Sequence, residues 1–389
     1  MIDIPVKNCC GCTACCQICP VNAIRMRRDK EGFAYPVVDQ SICVACGKCE
    51  SVCPVNTPLA VSSAFHGCVI AQNTNEHVLR ESTSGGFVDA LNRFVLEDCG
   101  GQAAGVAFDD HFLPIHKIVS TVDEAAAFRN SKYAQSELGN TFQQVRSFLE
   151  SGTCVVFTGT PCQVVGLKAF LGKDYDGLIT ADLICRSIPS PHLWRQYLDW
   201  QEDLAGSPIR EVACRRKTYG YHHGALEILF ENGTKYAGSN RVDYYMKAFH
   251  SGICSRPSCY DCPFKTAHRC SDFTVFDCGH PEEVTLKPMT DDDRGFSAVL
   301  IHTLKGKAVL DRLQDIRWME ADPEKLFRYT GGMESRSITR PAARENFYAQ
   351  LDADGFYATV KMYVKVSFVD RILEAVKPLW FWIRKRSLR

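Results

Sequence analysis

The stretches CCGCTACCQICP (9–20) and CVACGKCESVCP (43–54) carry one pattern twice. Cys9, Cys12, Cys15, Cys19 and Pro20 recur as Cys43, Cys46, Cys49, Cys53 and Pro54, each 34 positions on. With the spacing Cys-x2-Cys-x2-Cys-x3-Cys-Pro, a short loop aims three thiolates at three corners of one iron–sulfur cubane, and the fourth reaches across to a second. Cys9, Cys12, Cys15 and Cys53 are therefore expected around one 4Fe-4S cluster, and Cys43, Cys46, Cys49 and Cys19 around another. Structural zinc sites also use Cys-x-x-Cys, but not in this doubled form with trailing prolines. Cys10 and Cys16 interrupt the runs and read as packed bystanders. GFAYPVVDQSI between the copies reads as a short strand and turn, and NTPLAVSS after them as a linker, so a first domain spans 1–60.

The whole chain has 389 residues, 46% of them hydrophobic, enough for a large core. At roughly 150 residues per domain, two or three domains are expected. Forty-five basic residues balance 45 acidic ones, so total charge offers nothing to a nucleic acid. The start MIDIPVKNCCGCTACC lacks a basic segment followed by an apolar one, and no run approaches the roughly 18 apolar residues of a membrane span. The expectation is a cytoplasmic chain whose 21 cysteines serve metals or catalysis rather than disulfides.

Beyond Ala64, strand-like segments (FHGCVIAQ, AAGVAF, TCVVFT, GLITADLIC) alternate with helical ones (86–97, 140–150, 163–171, 191–204). That alternation predicts an α/β domain over 64–340 with a largely parallel sheet, following the small α+β domain. REVACRRK and ALEILF-ENG-TKYAG add an antiparallel portion, the latter pair turning at Asn232-Gly233. Cys162 and Cys185 follow predicted strands, where an α/β sheet usually places its ligand site. With Cys259 and Cys262 they are candidates for a third cluster; Cys254, Cys270 and Cys278 compete, and zinc or unligated thiols remain alternatives. Cys68, Cys99, Cys154 and Cys214 lie on apolar patterns and read as core. Residues 341–389 read as a basic, amphipathic helical tail: from Lys361 on there are eight Lys or Arg against two acids, leaving −6 on the rest. Such a helix suits peripheral contact with the inner face of a membrane, or docks on its own domain.

The N-terminal runs closely resemble bacterial two-cluster ferredoxins. RESTSGGF (80–87), NSKYAQS (130–136), FTGTPCQVVGLKAFL (157–171), ICRSIPSPHLW (184–194), RPSCYDCPFK (256–265), SDFTVFD (271–277) and GFSAVLIHTLKG (295–306) resemble the coenzyme F-420 hydrogenase/dehydrogenase beta-subunit family, in the form with a fused N-terminal ferredoxin. The resemblance implies an α/β flavoprotein binding FAD and a 4Fe-4S cluster, and passing electrons between a hydride carrier and one-electron partners. Carried over by position, it makes Cys162, Cys185, Cys259 and Cys262 the third cluster's ligands. It sets Ser84, Gly85, Gly86, Lys132, Tyr133, Gly159 and Thr160 near the flavin. Gly85-Gly86 opening a helix suits close approach of backbone amides to a pyrophosphate, and Lys132 suits its charge.

Two departures stand out. Arg186 follows the LxC cysteine where many relatives have histidine, and Asp277-Cys278-Gly279-His280 replaces Asp-Phe-Trp-Gly. Arg186 and His280 are candidates for orienting an anionic substrate or carrying a proton, and use of coenzyme F-420 does not follow. The expected function is an FAD-dependent iron–sulfur oxidoreductase between a redox partner protein or ferredoxin and a hydride carrier or small molecule. The alternative is an electron-carrying adaptor that has lost its substrate site.

Overall fold

The computed structural model describes residues 2–61 and 65–387, without the side chains of 379, 380 and those from 382 onward. The end of the predicted linker and the last two residues of the tail lie outside the described residues. Between the two cysteine runs, β1 (Ile24–Arg28) and β2 (Ala34–Val38) form an antiparallel pair. Each run closes with one short helical turn, Ala14–Gln17 and Lys48–Ser51.

The main sheet has eight strands. They are β3 (Gly67–Asn73), β4 (Gln102–Phe108), β5 (Pro114–Val119), β6 (Val155–Thr158), β7 (Leu178–Leu183), β11 (Phe273–Cys278), β12 (Phe296–Ile301) and β13 (Ile316–Glu320), in the order β13-β3-β12-β11-β7-β6-β4-β5. The centre β11-β7-β6-β4 is parallel. Both flanks are antiparallel. The alternating pattern located the parallel centre; the flanking strands return through connections that hydrophobic periodicity does not distinguish. Buried runs such as Val155-Val156-Phe157 suit a centre covered on both faces. A separate antiparallel sheet holds β8 (Ile209–Arg216), β9 (Ala225–Phe230) and β10 (Lys235–Gly238), with Gly233 at φ 82 in the turn.

The helix Pro161–Leu171 leaves β6 with every end signal in place. Thr160 and Gln163 form a capping box, Pro161 sits in the first turn, and Gly172 ends it at φ 69. The expected tail divides in two. The helix Arg344–Tyr363, broken at Gly355, buries Phe347, Tyr348, Leu351, Phe356 and Val360 in the core around Trp194 and Tyr245. It belongs to the body, and only Phe368–Ser387 remains as a terminal helix.

Candidate metal centres and their surroundings

Cys9, Cys12, Cys15 and Cys53 line one pocket together with apolar neighbours such as Ile2, Ile4 and Met26. Cys19, Cys43, Cys46 and Cys49 line a second, with Val21, Ile24 and Val38. The last cysteine of each run thus crosses to the other run's cavity. The repeat extends to the backbone: Gly11 (φ 71) and Thr13 (φ 63) bend left-handed, as do their counterparts Ala45 (φ 52) and Gly47 (φ 73). A left-handed Thr13 or Ala45 is locally unfavourable, by about 1 kcal/mol each, and is held because the loop must curl its thiols inward. Burial, then the charges of Cys9, Cys16 and Cys53, pushes the Cys15 thiol up.

Cys162 follows β6 and Cys185 follows β7, at the carboxyl edge of the parallel centre. Cys259 and Cys262 come on and just after the short turn Pro257–Asp261. The four thiols act on one another. Burial, then Cys162, raises Cys185 to about 12 and Cys262 to about 11. Burial, then Cys185, Cys262 and Cys162, raises Cys259 well above its ordinary value. Thiols so placed ionise together only around a cation. Zinc would draw the sulfurs to about 3.8 Å, given Zn–S bonds of about 2.3 Å in a tetrahedron. Among the described residues, no three cysteine sulfurs lie within 4.8 Å of one another.

Second-layer groups fit as well. Thr160 Oγ1 lies 3.2 Å from Cys162 Sγ, and the Cys262 N–H donates to Ser337 Oγ at 2.9 Å. Lys265 donates to the carbonyls of Cys185 and, at 2.9 Å, Met333. Of the competing thiols, Cys254 is fully buried in the aromatic core and Cys278 packs with Cys68, whereas Cys270 packs on the same core as Cys162 and Cys262.

Cys10, read as a bystander, connects the two regions. Its buried thiol is raised well above the ordinary value, with Cys12 and Cys162 both acting on it. Gly166, one turn beyond Cys162, packs on Cys12. Arg256, 1% exposed, donates from Nε to the Cys9 carbonyl at 2.7 Å, from Nη1 to Gln135 Oε1 at 2.9 Å and from Nη2 to the Ala34 carbonyl at 2.9 Å. Its guanidinium stands 4.3 Å from the Tyr35 ring centre. Arg256 lay inside the RPSCYDC motif but carries no metal-ligand signature, and Cys10 fell outside the repeat, so neither announced itself.

The residues expected near a flavin fare differently. The Gly85 N–H donates to Ser297 Oγ at 3.0 Å, and a Cβ there would stand 2.1 Å from the Ala71 carbonyl oxygen. Gly85 is therefore glycine so that its backbone can pack on the sheet, and its amide is not free for phosphate. Ser84 Oγ lies 3.0 Å from the same Ser297 hydroxyl. Gly86, at φ 76, is the residue before the helix Phe87–Arg93. The Lys132 ammonium donates to the carbonyls of Ala127 (2.8 Å), Arg129 (2.7 Å) and Asn130 (3.2 Å), clamping its own loop. Burial lowers it to about 7. The Gly159 N–H donates to the Ala181 carbonyl at 3.2 Å.

Tyr133 and Arg186 belong to a cluster that the sequence did not reveal. Tyr133 Oη lies 3.5 Å from Arg215, which pairs with Asp277 at 3.2 Å. Arg186 donates to the His250 carbonyl at 2.5 Å, and its Nε is buried without a partner. Burial, then Arg186 and Arg215, holds His250 down to about 4. An open groove lined by Lys247, His250 and Lys365 lies beside them. His280 does not join Arg186: it is exposed, 4.5 Å from the Tyr329 ring and 3.8 Å from Glu283.

Residues 8–57 match the 4Fe-4S dicluster domain, and residues 152–325 match the C-terminal part of the beta subunit in the coenzyme F420 hydrogenase/dehydrogenase family. No curated protein matches the chain. Among solved structures, a chain of the F420-reducing [NiFe] hydrogenase complex from Methanosarcina barkeri, in its xenon-derivatized form, matches at 19% identity and a TM-score of 0.42, covering 67% of this chain and 84% of that one. The chain thus carries, in order, a region similar to 4Fe-4S dicluster domains and a region similar to the C-terminal part of the coenzyme F420 hydrogenase/dehydrogenase beta subunit.

Proposed function

We infer that the chain is an iron–sulfur flavoprotein oxidoreductase with three 4Fe-4S clusters in series. The observation that carries this reading is the contact of Gly166, one turn beyond Cys162 on its helix, with Cys12, which brings the first cysteine pocket against the third cysteine set. In this reading Cys19, Cys43, Cys46 and Cys49 hold the outer cluster. Cys9, Cys12, Cys15 and Cys53 hold the middle one, and Cys162, Cys185, Cys259 and Cys262 the inner one. Val44, 60% exposed, and the exposed Cys46 mark the outer rim as the place for a redox partner protein or ferredoxin. Bound FAD would couple these one-electron carriers to a two-electron donor or acceptor. Arg186, Arg215 and Tyr133 would orient its anionic part or an anionic substrate at the carboxyl edge of the sheet, with Lys247 and Lys365 lining the approach. Coenzyme F420 and a nicotinamide are both hydride carriers of suitable charge.

Anaerobic purification followed by iron, sulfide and flavin analysis tests this. About twelve irons are expected, four for each of three clusters, with Cys259→Ala plus Cys262→Ala removing about one third. Stoichiometric zinc without labile sulfide would defeat the reading. A second reading, an adaptor that only wires one partner to another, is favoured by the occupied donors of Gly85 and Lys132. Three clusters with no flavin uptake, and no reduction by any hydride donor, would select it.

A further inference from the structure

The terminal helix Phe368–Ser387 is docked with its polar side inward. Asp370 pairs with Lys247 at 3.7 Å, and Glu374 accepts from the Ser239 N–H at 3.1 Å and its hydroxyl at 2.5 Å. Lys377, 9% exposed, lies 5.4 Å from the Tyr219 ring centre. Five apolar residues of its first turns face away from the body: Phe368 is 77% exposed, Val369 60%, Ile372 46%, Leu373 44% and Val376 38%, while Phe381 further on packs edge-on against the Tyr219 ring at 5.9 Å. An amphipathic helix that only completed a core would present the opposite side.

Charge follows the same division. Asp370 and Glu374 are the only acids after Lys361, and both are turned to the body. Lys361, Lys365 and Arg371 are exposed, and the sequence continues through LWFWI into Arg384-Lys385-Arg386. Between Lys361 and Pro378 the exposed side chains are apolar or basic apart from Ser367, while Lys377 is turned to the body. A second copy seated there would oppose like charges across a two-fold contact, whereas an anionic lipid surface complements both properties.

We propose that this face seats the protein on an anionic membrane surface, with the helix lying in the plane of the interface. Phe368, Ile372, Leu373 and Val376 enter the acyl boundary, and the exposed Lys361, Lys365 and Arg371 meet lipid phosphates. No helix among the described residues is long and apolar enough to cross a membrane, and none is needed. The proposal does not rest on the electron-transfer reading.

Full-length, anaerobically prepared protein should float with phosphatidylcholine vesicles containing phosphatidylglycerol and not with phosphatidylcholine alone. Binding should weaken as salt is raised. Ile372→Glu with Leu373→Glu should weaken it by about tenfold or more, while iron content and circular dichroism stay those of the parent, because both side chains are exposed. Absence of binding to the anionic vesicles, or full binding by the double variant, overturns the proposal. A dimer seen by light scattering that the same two substitutions dissolve assigns the face to a second copy instead.

Discussion

Gly166 and Cys12 leave no room between them: a Cβ built on Gly166 would stand 2.7 Å from Cys12 Cβ and 3.0 Å from its sulfur. The helix that carries Cys162 therefore rests directly on a predicted ligand loop of the N-terminal domain. Alanine in a helix is favoured over glycine by about 1 kcal/mol, but overpacking a tight contact costs about 1–3 kcal/mol. Gly166→Val should displace the Cys12 loop and remove about one third of the iron, with Gly166→Ala intermediate. Iron per chain, measured anaerobically, decides it.

Arg256 holds three acceptors from two domains with one guanidinium. Arg256→Met leaves the carbonyls of Cys9 and Ala34 buried and unpaired, at a cost of about 3 kcal/mol or more in unfolding free energy. Arg256→Lys should recover only part of it, since a point ammonium cannot span the three acceptors. Chemical unfolding of both variants beside the parent provides the check.

The Cys10→Ala variant should keep its full iron content, because Cys10 lies outside every proposed ligand set. It should nevertheless lower the reduction potential of a neighbouring cluster, since hydrogen bonds to cluster sulfurs favour the reduced state. Potentiometric titration followed by electron paramagnetic resonance reads this directly. Loss of four irons would make Cys10 a ligand.

His116 is buried against Phe157, and burial lowers it from 6.5 to about 4. The folded state keeps the ring neutral, so its contribution is complete above about pH 6.5 and is lost as pH falls toward about 4. Between about pH 7 and pH 5 that amounts to about 2 kcal/mol. Urea unfolding at the two pH values should show a loss smaller by about this amount in His116→Gln, other acid-sensitive groups being common to both proteins.

The features legible in the sequence are those fixed by local spacing. The doubled cysteine run prefigured which cysteines share a cavity, and Thr160, Pro161 and Gly172 marked both ends of one helix. Other features depend on what docks against what. The Cys10 thiol acquires its neighbours only when the helix from Pro161 arrives, and Lys132 turns back on its own loop, which no periodicity records. Residues 344–363 resembled a tail because the break at Gly355 divides the apolar stripe of Phe347, Tyr348, Leu351, Phe356 and Val360.

The buried pair between Arg344 and Glu31, at 2.9 and 2.6 Å, ties nearly opposite ends of the sequence together. Small iron–sulfur carriers are ordinarily interchangeable parts that diffuse between clients. Here that freedom is given up: an excised N-terminal segment would expose an unneutralised carboxylate and the faces that Gln135 and Arg256 now cover. The boundary near residue 60 marks a joint in the sequence but no seam in the solid. Any foreign carrier grafted in its place would have to reproduce these buried contacts before it could pass a single electron.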